Sequence, residues 1–229
     1  MSNKNKEIKK IIAEQWLSSV PDLSAFTQNK FYKIVGCLVI GIELINLPKV
    51  ENYRPYFVIY PLWKKDLKEC LDSPVVLMEI YNKKGMQFSI PYLNHDVYFN
   101  EVIENIKRQV PILFSEDIYF KKMDDLICRL FDDILVKSNS AQQAKLFELR
   151  FYTALYVGNE NQTINVLNNI KKASTFWNMR MFETWYGKLD LWIQGLQEAI
   201  IYREEFVIHV NTIKQERKML KMHHSELLT

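Results

Sequence analysis

The position of proline constrains the fold of this chain more than any other feature of its sequence. All 7 prolines lie at or before Pro111, and the chain continues to Thr229 without another. Proline interrupts a helix, because it has no N–H to donate and its ring clashes with the preceding turn. The distribution of prolines therefore predicts that residues 1–111 form a part with both helices and strands, and that residues 112–229 form an all-helical part.

The first part has the pattern of a helix followed by a sheet. Isoleucines and Trp16 recur at helical spacing over residues 6–17, which predicts a surface helix. Residues 96–110 repeat this spacing and predict a helix laid on the sheet or bridging to the next part. Lys83, Lys84 and Gly85 predict a hairpin turn between the last two strands. Runs of β-branched and aromatic residues predict strands over residues 31–35, 38–47, 56–63, 75–81 and 86–90.

The second part opens with two predicted helices. Apolar residues over 123–135 form one stripe, for which Ser115 is the predicted N-cap. Residues 140–143 match a capping box that opens the next helix. Gly158 and Asn159 separate that helix from a third, so we expect the two to form a helical hairpin.

A final pattern over residues 182–220 predicts a long last helix, bent near Gly187 or Gly195. The predicted fold class is α+β: an antiparallel sheet of four to five strands with flanking helices, then an all-helical part that ends in a long helix. The segment after Pro111 contains no Gly, Ser or Pro linker, so we expect the two parts to pack together as one unit.

Charge and cysteine content limit the classes of function that are open to this chain. The 30 basic and 27 acidic side chains give a net charge of +3, too small for a general attraction to polyanions. Cys37, Cys70 and Cys128 lie far apart, which favours neither a disulfide framework nor a zinc site. Neither a signal peptide nor a membrane span is predicted, and the frequent Lys, Ile and Asn are typical of an AT-rich bacterial or phage genome. We therefore expect a bacterial protein of the cytoplasm.

The predicted sheet carries polar residues that interrupt its apolar runs. Alternation along the strands groups Tyr56 with Tyr60, and Glu79 with Tyr81, on one face. If the register aligns them with Glu43, the outer face presents two carboxylates surrounded by tyrosines, and Gln87 extends it. Such a face suits a basic protein partner, and a plain solvated sheet face is the alternative. The candidate partner-binding residues are Glu43, Tyr56, Tyr60, Glu79, Tyr81 and Gln87.

Catalytic and metal sites receive little support. Asp124, Asp125, Asp132 and Asp133 could face a hard cation from one helix, but Arg129 sits between them and favours a salt-bridged surface. The histidines have no predicted catalytic partner: His95 is expected to cap a helix, and His223 and His224 to lie in a frayed tail. The 6 glycines leave little for a phosphate-binding loop. We predict no catalytic residue, cofactor or metal.

Two features of the helical part bear on partners. Residues 144–173 resemble one tetratricopeptide-like helical hairpin, which implies a protein-binding role; no second copy is present, and an ordinary hairpin is the alternative. The other feature is the basic end of the last predicted helix. It indicates nucleic-acid contact as an alternative function. The structural alternative is that these charges only complement the helix dipole. The residues of this basic end are Lys214, Arg217, Lys218 and Lys221.

The sequence therefore favours a non-enzymatic bacterial protein that binds another protein, such as a toxin or effector, in the manner of an immunity protein or antagonist. Nucleic-acid binding and an unrecognised enzyme are the alternatives. The oligomeric state does not follow from these patterns.

Overall fold

The computed structural model describes residues 3–47 and 49–229. It has the α+β fold class expected from the sequence, an antiparallel sheet of five strands with helices, followed by a helical C-terminal part. The strands are β1 (Ser24–Thr27), β2 (Lys30–Val35), β3 (Leu38–Leu47), β4 (Asn52–Pro61), β5 (Val76–Glu79), β6 (Ile90–Pro91), β7 (Ile118–Tyr119), β8 (His223–Ser225) and β9 (Leu227–Leu228). The helices are α1 (Asn3–Ser19), α2 (Leu67–Cys70), α3 (His95–Gln109), α4 (Phe120–Leu130), α5 (Ile134–Lys137), α6 (Ser140–Tyr156), α7 (Glu160–Ser174), α8 (Met179–Tyr186), α9 (Leu189–Ile201) and α10 (Arg203–Lys214).

The main sheet has the order β1-β2-β3-β4-β5, with antiparallel pairing throughout this path. β6 pairs with β4 beyond the end of β5. The connection between β3 and β4 is shorter than the strands predicted over residues 38–47 and 56–63 imply, because β3 and β4 stay paired as far as Leu47 and Asn52. Pro48 belongs to this connection and lies outside the described residues. Pro55 fits inside β4 because it occupies the gap between the segments paired with β5 and β6.

Helices from both parts of the chain build one core with the sheet. Trp16 of α1 packs edge-on against Phe99 of α3, with ring centroids 5.3 Å apart. Across the Pro111 boundary, Trp63 contacts Tyr152 of α6 at a centroid distance of 4.8 Å. The same apolar cluster includes residues of α4, α6 and α10. The sheet is therefore covered by helices from both halves of the sequence.

A second apolar cluster lies among α6, α7, α8 and α9. Its centre is aromatic: Phe182 is fully buried and stacks on Trp177, while Trp192 packs edge-on against it. The expected hairpin of α6 and α7 is present, and α8 also packs on α6. Trp177 and Trp192 thus serve packing, whereas Trp185 is 73% exposed.

Several details of the helical part differ from the sequence prediction. The long last helix is divided into α8, α9 and α10, with breaks at Gly187 and Tyr202, and Gly195 lies inside α9 without interrupting it. Ser115 does not cap a helix, because α4 begins after β7 with Tyr119 at its N-cap. At the start of α6 the capping side chain is Asn139, one residue before the predicted Ser140.

The C-terminal segment is not a frayed tail. β8 pairs in parallel with β2, setting His223 opposite Lys33 and Ser225 opposite Val35, and β9 pairs in parallel with β7. The backbone N–H of His223 also donates to the Ser24 hydroxyl at 2.9 Å. β8 is therefore part of the main sheet, and β9 forms a separate two-stranded sheet with β7.

Throughout the described ranges, every helix falls short of the length or the apolar character that crossing a membrane would require.

Candidate functional site

The register of the sheet brings most of the predicted polar residues together. Glu43 of β3 lies opposite Tyr56 of β4, and Tyr56 lies opposite Glu79 of β5. Paired residues in antiparallel strands project from the same face. The register, which the sequence left open, therefore places Glu43, Tyr56 and Glu79 in one row.

Glu43 nevertheless belongs to the interior. Its side chain accepts hydrogen bonds from the hydroxyls of Tyr32 and Tyr60, the latter at 2.6 Å, and Lys30 Nζ lies 3.2 Å from the same oxygen. Glu43 is only 8% exposed and Tyr60 only 2%. The expectation that these two residues face solvent is wrong, because both are buried, and the ring of Tyr60 packs edge-on against Tyr32 with centroids 5.7 Å apart. Burial, followed by the hydrogen bond to Glu43, raises the pKa of both tyrosines.

Tyr32 is the member of this group that sequence reasoning missed. It lies opposite Gly41, where an added Cβ would come within 2.8 Å of the Tyr32 ring and 1.9 Å of the Phe31 carbonyl oxygen. Glycine inside a strand marks a close approach of other atoms. The glycine of β3 was therefore the signal that a large ring crosses the strand beside Glu43.

The remaining predicted residues lie at the outer end of the sheet. The Tyr81 hydroxyl donates to Glu79 at 2.6 Å, and Arg54 donates to Gln87 at 2.6 Å. Tyr81 is 40% exposed, and Glu79 and Tyr56 are half-buried. The hydrogen bond to Glu79, together with burial and the nearby charge of Asp133, raises the pKa of Tyr81 to about 12. This end of the face is accessible.

The hydrogen bonding of β4 shows which side of β5 is free. The backbone N–H of Leu62 donates to the Cys37 carbonyl on the β3 side. Because hydrogen bonding alternates along an antiparallel strand, the even-numbered residues of β4 bond to β3 and the odd-numbered residues face β5. Phe57 is odd-numbered and lies opposite Met78, so Met78 bonds to β4.

The backbone N–H and C=O groups of Leu77 and Glu79 consequently point away from the sheet. Within residues 3–47 and 49–229, no strand pairs with this edge of β5. The next outward position is Tyr81, whose N–H donates to the Gln109 side chain at 3.2 Å and whose carbonyl accepts from the same amide at 2.8 Å. The fold thus closes one position of the edge and leaves two open.

A groove runs beside the open edge, between β5 and the helices α5 and α6. It comprises a cavity of about 700 Å³ and another of about 340 Å³. Across from β5, Leu135 of α5 is 74% exposed, and Leu77 on the strand itself is 50% exposed. The two cavities adjoin, because both are lined by Val75, Leu77, Asp133, Leu135, Val136 and Gln142. We call this feature the β5 groove.

The two ends of the β5 groove differ in charge. Glu79 lines only the cavity where β5 finishes, and Lys145 lines only the cavity near Ser73, where the strand begins, whereas Asp133 lines both. Asp132 lines neither cavity, and its carboxylate lies 3.3 Å from Lys137 Nζ. The cavity where β5 finishes is therefore lined by two carboxylates, Glu79 and Asp133, and by no lysine or arginine of the described residues.

The four aspartates considered for a cation do not form a site. Arg150 of α6 donates to both oxygens of Asp124, at 2.6 and 3.0 Å, and the Gln162 amide also reaches this carboxylate. Asp133 caps α5 by accepting from the backbone N–H of Leu135 at 2.7 Å. In the described residues, no group of three or more His, Cys, Asp or Glu side chains is arranged for a metal ion. Arg150, distant in sequence, takes the role expected of Arg129.

The other candidate residues take structural roles. His95 is buried as the first residue of α3, with its Nδ1 2.7 Å from the Tyr53 hydroxyl, and Asn94 occupies the N-cap position instead. Burial lowers the pKa of His95. Among the basic residues, Lys214 donates to the Tyr156 hydroxyl at 2.8 Å and Lys218 lies over the Phe26 ring. Arg217 and Lys221 are exposed beyond the end of α10, so the four do not line one long helix.

No family model, no curated protein and no solved structure matches this chain.

Proposed function

We propose that this protein is a non-enzymatic factor of the bacterial cytoplasm that binds another protein and blocks it, as an immunity protein or an antagonist does. The observation that carries the proposal is the β5 groove, where an unpaired strand edge faces exposed apolar side chains. Monomeric proteins seldom leave such features uncovered, because both favour association. Three free cysteines fit a reducing compartment.

The exposed side chains of α5 support this assignment. Ile134 and Leu135 project from a helix of four residues and are 78% and 74% exposed. Asp133 and the adjoining α6 fix this short helix beside β5. Leu135 lines the groove and is a suitable anchor for a protein partner, since burying a leucine contributes about 1.5–3 kcal/mol.

Site-specific photo-cross-linking in the cells that carry the gene tests the proposal. A photoreactive amino acid replaces Leu135 in the groove, or Val97, which is 76% exposed on α3 and serves as the matched control. We expect one discrete protein adduct from position 135 and none from position 97. Adducts that are equal at the two positions, or absent from position 135, would contradict the proposal.

Direct binding then checks the adduct. The cross-linked protein is identified, purified and titrated against the wild-type chain and the variants Leu135→Lys and Val97→Lys. A charge at the groove rim should weaken binding at least about tenfold, because the lysine must be desolvated on association. The Val97→Lys variant should bind like the wild type.

A further inference from the structure

We propose that the occupant of the β5 groove is an extended segment of the partner, added as a new strand to the free edge of β5, with a basic side chain beside Glu79. This inference rests on the proposed function and specifies how the same groove is used.

The backbone of β5 is the first reason for strand addition. Leu77 and Glu79 each direct one N–H donor and one C=O acceptor away from β4, and no strand in the described chain takes them. An extended segment satisfies all four groups at once by continuing the ladder. A helix could not do so, because its own backbone groups are already bonded along its axis.

The side chains beside the edge fit an alternating segment. Residues along an added strand project in turn to opposite faces of the sheet. On the face of Leu77, the segment lies between that leucine and Leu135, so an apolar side chain is favoured there. On the opposite face it meets Met78, which is half-buried beside the core. The groove therefore selects apolar residues near its middle.

The charges at the end of β5 favour a basic residue next to the apolar ones. Glu79 Oε2 accepts from Tyr81, and the other oxygen has no hydrogen-bond partner within the described chain. Asp133 lies close enough for its charge to act on Tyr81. Two carboxylates at a partly desolvated end attract a lysine or an arginine and repel a polyanion. A nucleic acid is therefore disfavoured at this groove.

A display experiment tests the inference without knowledge of the natural partner. The probe is a phage-displayed library of random peptides, selected on the full-length protein. Its variants are Leu77→Pro, which removes the outward N–H, and Leu77→Thr, which removes the same leucine but keeps the donor. Selected peptides should bind Leu77→Thr at least about tenfold more tightly than Leu77→Pro. Failure to select a peptide with this preference overturns strand addition.

A charge exchange provides a second test that does not depend on how well Leu77→Pro folds. Selected peptides should carry a recurrent lysine or arginine and bind Glu79→Lys at least about tenfold less tightly. Changing that peptide residue to glutamate should restore binding to Glu79→Lys. The matched control Glu104→Lys alters an exposed glutamate of α3 and should bind like the wild type. Selected peptides without a basic residue, or without this rescue, overturn the basic-segment assignment.

The two proposals can fail separately. Cross-linking from position 135, combined with equal peptide binding to Leu77→Pro and Leu77→Thr, would leave a protein-binding groove and remove strand addition. Absence of cross-linking, with peptides that still prefer Leu77→Thr, would remove the proposed cellular function and keep a peptide-binding edge.

Discussion

Glu43 lies in the sheet with three donors directed at one of its oxygens: the hydroxyls of Tyr32 and Tyr60, and the ammonium of Lys30. A buried carboxylate is stable only when such donors replace its hydration. Glu43 therefore helps to fix the packing of the side chains around it, and a substitution at this position is a poor test of partner binding. The accessible residues of the same face are Glu79 and Tyr81.

Removing one donor tests this role. Tyr32→Phe keeps the ring but deletes the hydroxyl that donates to Glu43. We expect the free energy of unfolding to fall by about 1.5–3 kcal/mol, the usual worth of a hydrogen bond to a charged group. Urea unfolding measures the loss. Tyr119→Phe, at a residue 52% exposed, is the matched control and should leave the midpoint unchanged. Equal stability of the two variants would contradict the account.

His95 links stability to pH. Burial lowers its pKa from the ordinary value of 6.5, and the charge of Asp96 opposes this only in part. In acid the unfolded chain therefore takes up a proton before the folded chain does, so the free energy of unfolding falls as the pH drops through 6.5 towards the lowered pKa. His95→Gln should lose less stability over this interval. Urea midpoints at several pH values check it, and parallel pH profiles would contradict it.

At the scale of elements, Gly187 divides what the hydrophobic spacing predicts as one helix. Its φ of 72° and ψ of −157° belong to a region that is essentially restricted to glycine. Spacing alone does not locate such a break, because the apolar pattern of α8 and α9 continues across it. Gly195 is equally conspicuous in sequence but lies inside α9.

Matched alanine substitutions distinguish the two glycines. Gly187→Ala should destabilise the protein by about 1–3 kcal/mol through backbone strain alone, because no atom lies within 4 Å of the added Cβ. Gly195→Ala should stabilise it by about 0.5–1 kcal/mol, since alanine is the better helix former and its site is also open. Thermal unfolding measures both. A gain in stability from both substitutions would indicate one continuous helix.

The strands that sequence reasoning found and missed differ in length and in partners. β3 and β4 are long, apolar and joined locally, so their patterns were sufficient. β8 is three residues long and gains its order only by pairing with β2, from the opposite end of the chain. The candidate site could likewise be predicted only where its residues lie close together in the sequence. Glu79 and Tyr81 lie within one strand pattern, whereas α5 and Arg150 approach from distant segments.

On the scale of the whole molecule, contacts cross the Pro111 boundary on several sides. Lys33 Nζ donates to the Ser115 carbonyl at 2.7 Å, and the Cys37 thiol donates to the Tyr152 carbonyl at 3.8 Å. β8 adds a strand from the second half of the sequence to the sheet of the first. Pro111 thus marks a change of secondary structure inside a shared core.

We therefore expect the parts 1–111 and 112–229 to unfold in one transition. Shared burial makes loss of either part costly for the other. Phe182→Ala, in the helical cluster, should lower the urea midpoint by an amount equal to about 3–5 kcal/mol. Amide exchange should report the same loss in β3, in the sheet. Destabilisation confined to α6–α9, with β3 unchanged, would indicate two independent units.

The free edge of β5 is proposed to receive a strand from another protein. Amide hydrogen exchange at β5, measured with and without a selected peptide or the cross-linked partner, tests this pairing. The amides of Leu77 and Glu79 point into the β5 groove, whereas Val75 and Met78 already bond to β4 and act as internal controls. Strand addition predicts that exchange slows at Leu77 and Glu79 and stays nearly constant at Val75 and Met78. Unchanged exchange at Leu77 and Glu79 in a saturated complex would contradict the claim.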